Sequence, residues 1–217
     1  MLTDQLLATA TGALLLTAVL MLWRRTVPGA AVLLGVQGLA LAGIALVIAA
    51  VEGHPALYAG SALFVLIKGI LIPTLLVRTA RVVGAGTEAT PVVNPTTGML
   101  LAAVLTTVAY LVSRPLVAGD GGPRLDGTVP VGIAVVLIGF LVLATRRQAL
   151  AQIMGFVMVD NGIGATALLA SGGLPIVVEL GVLLDVLLVV LILLVLTRRI
   201  GAAFATTELH ELTELRD

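Results

Sequence analysis

Four ionisable residues stand inside otherwise apolar stretches of this chain: Lys68, Asp160, Glu179 and Asp185. An ionised side chain near the centre of a bilayer costs roughly 2.5–3.5 kcal/mol on insertion scales, so such residues are uncommon and turn toward one another or toward a water-filled path. Carboxyls and a lysine in that setting can hold, pass and release protons, or guide another small ion.

Asp185 ranks first. It lies halfway along a run, between Leu183-Leu184 and Val186-Leu187-Leu188, with only Gly181 breaking the apolar surround within a turn. Asp160 is followed by Asn161-Gly162-Ile163-Gly164; the glycines permit close helix approach, and the amide offers donors and an acceptor to a neighbour. The plainer reading of Asp160 and Asn161 is a polar clasp between helices. Lys68 lies deep in Val65-Leu66-Ile67-Lys68-Gly69-Ile70-Leu71-Ile72-Pro73, where the proline removes a backbone donor and frees the Gly69 carbonyl. Beside such a defect a lysine is a relay partner for one of the acids, and its depth makes snorkelling to the interface strained. Glu179 precedes Asp185 by six residues, a spacing that turns it about 120° away around a helix; a path residue and an interfacial one are equal readings of it. Gln37 and Gln152 carry little weight, because amides in such helices are usually packing devices.

The elements that position these residues follow from composition. Of 217 residues 59% are apolar and 11% charged, and mean hydropathy is +1.18, which excludes a soluble domain. Apolar runs recur at the roughly 20-residue length a spanning helix needs. The runs are 2–23, 30–51, 57–82, 97–117, 129–145, 148–170 and 175–197, giving an all-α polytopic bundle of about seven helices. The first run has no basic segment before it, so a cleaved leader is not expected. Three regions are expected: four helices over 1–128, three over 129–200, and a short acidic tail over 201–217.

Arginine placement sets orientation. With seven spans, Arg24, Arg25, Arg78, Arg81, Arg146, Arg147, Arg198, Arg199 and Arg216 fall on one side and only Arg114 and Arg124 on the other. By the positive-inside rule the N-terminus is outside and the C-terminus cytoplasmic; the expected location is a prokaryotic plasma membrane. Six or eight spans would scatter the same arginines over both faces.

Absences narrow the chemistry. The chain has no cysteine, hence no disulfide, thiolate-held cluster or thiol nucleophile. His54 and His210 are far apart, in a loop and in the tail, and make no metal site. A phosphate loop, a zinc-protease helix and a nucleophile elbow are all missing. Zero net charge offers no footprint for nucleic acid. No catalytic residue, cofactor or metal is expected, and the chain is not expected to be an enzyme by itself.

Arg146-Arg147, Asp160-Asn161, Asp185 and Arg198-Arg199 together resemble the pattern of subunit K of respiratory complex I and of its small three-helix relative in Mrp-type cation antiporters. In the complex I protein the middle-helix acid stands one turn before the asparagine, a place that Val157 holds here. Over nearly its whole length the chain is similar to component E of hydrogenase-4, a membrane subunit of energy-converting nickel–iron hydrogenase complexes of the formate hydrogenlyase type. The segments that carry this are 68–73 (KGILIP), 158–162 (MVDNG) and 173–185 (GLPIVVELGVLLD). A glutamate is expected in that family where Asp160 stands.

The resemblance implies a non-catalytic subunit of a respiratory assembly, packed beside antiporter-like membrane subunits and served by a peripheral hydrogenase or oxidoreductase arm. Asp185, Asp160, Lys68, Glu179 and Asn161 would then form part of a proton or ion path, with redox energy from partners. A stand-alone secondary transporter and a purely structural scaffold are the alternatives; the single proline break at Pro73 lacks the repeat symmetry usual in transporters.

Overall fold

Helix boundaries in this chain are set largely by proline and glycine. Pro28, Pro55, Pro95 and Pro130 all fall in the first turn of a helix, where a missing N–H removes nothing from the hydrogen-bond ladder. Gly53 and Gly172 adopt the left-handed conformation just past helix ends, at φ 71° and 63°, a geometry that side chains with a Cβ disfavour.

The computed structural model describes residues 2–82, 93–117, 128–174, 176, 180–190 and 192. Glu179, Arg124, the Arg198-Arg199 pair and the acidic tail lie outside the described residues. Helix α1 is Leu2–Trp23 and α2 is Val27–Glu52. Helix α3 is continuous but changes pitch: α-helical over Pro55–Phe64, π-helical over Val65–Leu71 and α-helical again over Ile72–Val82. Then follow α4 (Pro95–Val117), α5 (Val129–Thr145), α6 (Ala149–Ser171) and α7 (Leu180–Val190). No strand occurs among the described residues. Five of these helices are long and apolar enough to cross a bilayer, and α5 and α7 are shorter apolar helices as described. The protein is a polytopic helical membrane protein. Helix α2 starts a turn earlier than its apolar run indicates, because Pro28 opens it.

Helices α2 and α6 form the middle of the bundle, with 56% and 61% of their apolar windows buried against 22% for α4. Helix α2 packs on α1, α3 and α6, while α5 packs on α6, α4 and α1. Lipid offers no hydrophobic drive for helices to associate, so close backbone approach through small residues must hold them. The α5–α6 seam is built this way: a Cβ on Gly139 would sit 2.9 Å from the Val159 nitrogen, and one on Gly162 would sit 2.7 Å from that of Val136.

The same device fits α2 to the irregular part of α3. Pro73 provides no N–H, so it can bond neither the Gly69 carbonyl in α-helical register nor the Lys68 carbonyl in π-helical register. Gly35 and Gly38 of α2 face those two carbonyls, and added Cβ atoms would lie 3.2 Å from Gly69 O and 2.6 Å from Lys68 O. The Ser61 hydroxyl donates to the Ala42 carbonyl at 2.9 Å and pins the same interface one level away.

Arg146, in the short α5–α6 link, is buried at 5% exposure, and its Nη2 donates to the carbonyl of Arg24 at 2.9 Å and lies near those of Met21 and Leu22. It therefore caps the C-terminus of α1, where a cation contributes about 0.3–1 kcal/mol, rising to ~2 kcal/mol when partly buried.

Replacement of Gly38 by Ala should lower stability by about 1–3 kcal/mol, since the new methyl meets backbone that cannot yield. Gly12→Ala, with nothing within 4 Å of its added methyl, should be neutral or slightly stabilising. Thermal unfolding of the two variants in mild detergent checks the contrast, and equal melting would refute the tight α2–α3 fit.

Candidate functional site

The π-helical stretch of α3 has Lys68 at its centre, and the side chain runs into the interior at 3% exposure. A wider π turn rotates the residues that follow relative to an α-helix, and such turns recur where a side chain must be aimed. The Lys68 ammonium pairs with Asp160 Oδ2 of α6. It also lies 2.9 Å from Asp185 Oδ1 of α7, at ion-pair distance but outside hydrogen-bond alignment. Asp160 is 4% exposed and Asp185 0%. The two carboxylates are close enough to act on one another electrostatically.

One turn before Lys68, the Phe64 ring centroid lies 5.7 Å from the ammonium, within the range of a cation–π attraction. Gly181, one turn before Asp185, packs beside that ring: an added Cβ would sit 3.5 Å from Phe64 Cζ, at ordinary van der Waals distance. Phe64 therefore fills the space between α3 and α7 beside the charges.

A second polar arm leaves the cluster through Asn161. Adjacent residues point about 100° apart around a helix, so Asn161 faces α2 while Asp160 faces α3 and α7. Its Nδ2 donates to Gln37 Oε1 at 3.2 Å, and Gln37 Nε2 donates to the Leu14 carbonyl of α1 at 3.4 Å. Both amides are buried, at 0% and 1% exposure. Asn161 Oδ1 accepts no hydrogen bond from a described residue. Five helices thus meet in one polar array, ordered α1, α2, α6, α3, α7.

Lys68, Asp160 and Asp185 are brought together, and Asn161 joins them through its neighbour; Glu179 lies outside the described residues. Gln37, given little weight from sequence, proves to be the link between Asn161 and α1. Gln152 is a local device, its Nε2 donating to the Arg146 carbonyl at 3.1 Å. The sequence signal that could have raised Gln37 is an amide in the middle of an otherwise apolar helix, next to Gly38 at a close helix contact.

Chemically the cluster sets one cation against two anions, so it is neutral only when one carboxyl carries a proton. Among the described residues no group of three metal-ligating side chains occurs.

Breaking a buried pair by removing one partner costs roughly 3–5 kcal/mol, because the remaining charge is left uncompensated. Lys68→Met strips both carboxylates and should destabilise by about that much, whereas Asp185→Asn keeps the Lys68–Asp160 pair and should cost clearly less. Unfolding by heat in detergent distinguishes the two, and a Lys68→Met protein as stable as Asp185→Asn would contradict the central role of the lysine.

No protein-family model and no solved structure matches the chain. It is 26% identical over 152 residues to hydrogenase-4 component E of Escherichia coli, covering 69% of this chain and 68% of that protein, and the same figures hold for the protein of that name in Shigella flexneri. It is 42% identical over 212 residues to the uncharacterized protein Rv0085 of Mycobacterium tuberculosis, covering 96% of this chain and 94% of that one. At that identity and coverage, the chain belongs to the same family as Rv0085.

Proposed function

We propose that this protein is a non-catalytic, multi-pass plasma-membrane subunit of an energy-converting hydrogenase or complex I-like assembly, and that Lys68, Asp160 and Asp185 form part of its proton or ion path. One observation carries the reading: a lysine held between two buried aspartates from two other helices, with one more negative than positive charge if all three ionise. The similarity to hydrogenase-4 component E supports the choice of assembly. The redox centres and the energy source belong to partner subunits, among them antiporter-like membrane subunits and a peripheral oxidoreductase arm.

The cluster works by exchange of one proton. When a proton arrives on Asp185, the lysine is left to Asp160; when it departs, both acids compete for the ammonium. Each state changes the field at the next titratable group, and at an effective dielectric of about 20 two unit charges 4 Å apart interact by about 4 kcal/mol, enough to reorder protonation along a path. Asn161 and Gln37 fix the α6 side of the cluster against α2, so the charge change acts on groups that hold still. Glu179 belongs to the same proposed path.

The N-terminal helices over 1–128 supply Lys68, and the three-helix region over 129–200 supplies both aspartates. Neither region completes the cluster alone. The proposed topology places the arginine-rich end of the bundle in the cytoplasm.

Replacement of Asp185 by Asn keeps size and hydrogen-bonding capacity and removes the proton site. In membranes carrying the whole complex, proton translocation by this variant should fall by at least an order of magnitude while redox turnover with artificial partners persists. Unimpaired translocation would leave the scaffold reading standing instead.

A further inference from the structure

We infer that Phe64 closes the proposed ion path between α3 and α7 on the side of the cluster away from the arginine-rich end, and that its ring moves when a proton passes there. The inference rests on the reading of Lys68, Asp160 and Asp185 as part of a path.

Helices α3 and α7 lie side by side in matched register at the cluster. Lys68 meets Asp185, and four residues earlier on each helix Phe64 meets Gly181. Helix α3 runs on from Lys68 toward Arg78 and Arg81, so the Phe64 level is on the other side of the cluster from those arginines. The two sides are closed differently. Toward the arginines both chain segments bring bulky aliphatic side chains, Ile72 and Leu76 from α3, Leu188 from α7 and Ile192 just beyond it, none more than 2% exposed. On the other side the turn of α7 next to Asp185 presents a glycine. Among the described residues only Cζ and Cε1 of Phe64 lie within 4 Å of a Cβ built on Gly181, at 3.5 and 3.7 Å. At this level the closure between α3 and α7 is one ring from one helix.

A buried phenyl ring has no group that can carry a proton, and it fills the space a water would need. The next polar side chain on α3 beyond it, Ser61, is buried and donates to the Ala42 carbonyl at 2.9 Å. A proton leaving Asp185 on this side therefore has to pass where the ring stands. The ring is also tied to the state of the cluster, since its centroid lies 5.7 Å from the Lys68 ammonium and a desolvated cation attracts an aromatic face most strongly. When a proton on Asp185 leaves the lysine to Asp160, the ammonium is drawn toward α6 and holds the ring less firmly. Arrival of the proton thus loosens the closure beside it, and departure restores the closure.

The test uses sealed membrane vesicles carrying the whole complex, in which redox turnover, protons moved per turnover and the decay of an imposed pH gradient are measured. With the ring removed, only the closure toward the arginines remains, and each working opening of it joins the two faces of the membrane. Phe64→Ala should keep redox turnover, lose most of its net translocation, and let the imposed gradient decay faster by an order of magnitude or more. Adding Asp185→Asn to it should return the decay to the parent rate, because the leak runs through the cluster. Asp185→Asn alone should lose translocation without faster decay, which separates damage to the cluster from loss of the closure. Decay in Phe64→Ala no faster than in the parent overturns the inference. Fast decay that persists in the double variant overturns it too, since water then passes through a loosened bundle. Should Phe64→Ala fail to fold, Phe64→Val carries the same test, with decay several-fold faster expected and parent-like decay overturning the inference. Unimpaired translocation in Asp185→Asn would instead overturn the path reading itself, whatever the Phe64 variants show.

Discussion

Lys68 is one cation on one helix, and the two groups that compensate it come from two others. A bilayer interior solvates neither charge, so α3, α6 and α7 must stay where the ammonium can reach both carboxylates, and the backbone has to be shaped to deliver it. That requirement explains features that look unrelated. Pro73 disrupts the ladder, the π-helical stretch absorbs the disruption while carrying Lys68, and Gly35 and Gly38 let α2 lie flat against the carbonyls that the disruption frees. The remaining packing, with its glycine seam between α5 and α6, fixes the azimuth of the helix that carries Asp160.

The polar array has a neutral part and a charged part. Asn161, Gln37 and the Leu14 carbonyl are neutral groups whose hydrogen bonds tie α6 to α2 and α1. Lys68, Asp160 and Asp185 carry formal charge, and their sum changes by one unit with each proton. A neutral clasp next to a charge cluster is a physically sensible arrangement: the clasp resists the movement that a change of charge would otherwise drive.

Much of this was readable in the residues, and the unread part has a common cause. Depth in the membrane is a one-dimensional property, so apolar run lengths disclose the spans, and the exceptions to them disclose Lys68, Asp160 and Asp185. Rotational phase is different. Helices such as α2 and α6 are apolar on all sides, so periodicity does not say which face meets which neighbour. For that reason the division of labour between adjacent Asp160 and Asn161, the pairing of Lys68 with both acids, and the reach of Gln37 emerge only from the packed bundle. Pro73 announced a break, but whether it yields a kink or a π turn depends on what packs against it. Arg146 read as one of nine arginines setting orientation; its role as the cap of α1 depends on a contact 122 residues away in sequence.

The central claim is that the cluster holds an exchangeable proton shared between its acids and its lysine. Infrared difference spectroscopy on the assembled complex, cycled between its redox states and compared with the Asp185→Asn variant, addresses it directly. A protonated-carboxyl band that rises and falls with turnover, and that disappears in the variant, is the predicted result. A carboxyl signal at Asp185 that stays constant through the cycle would contradict it.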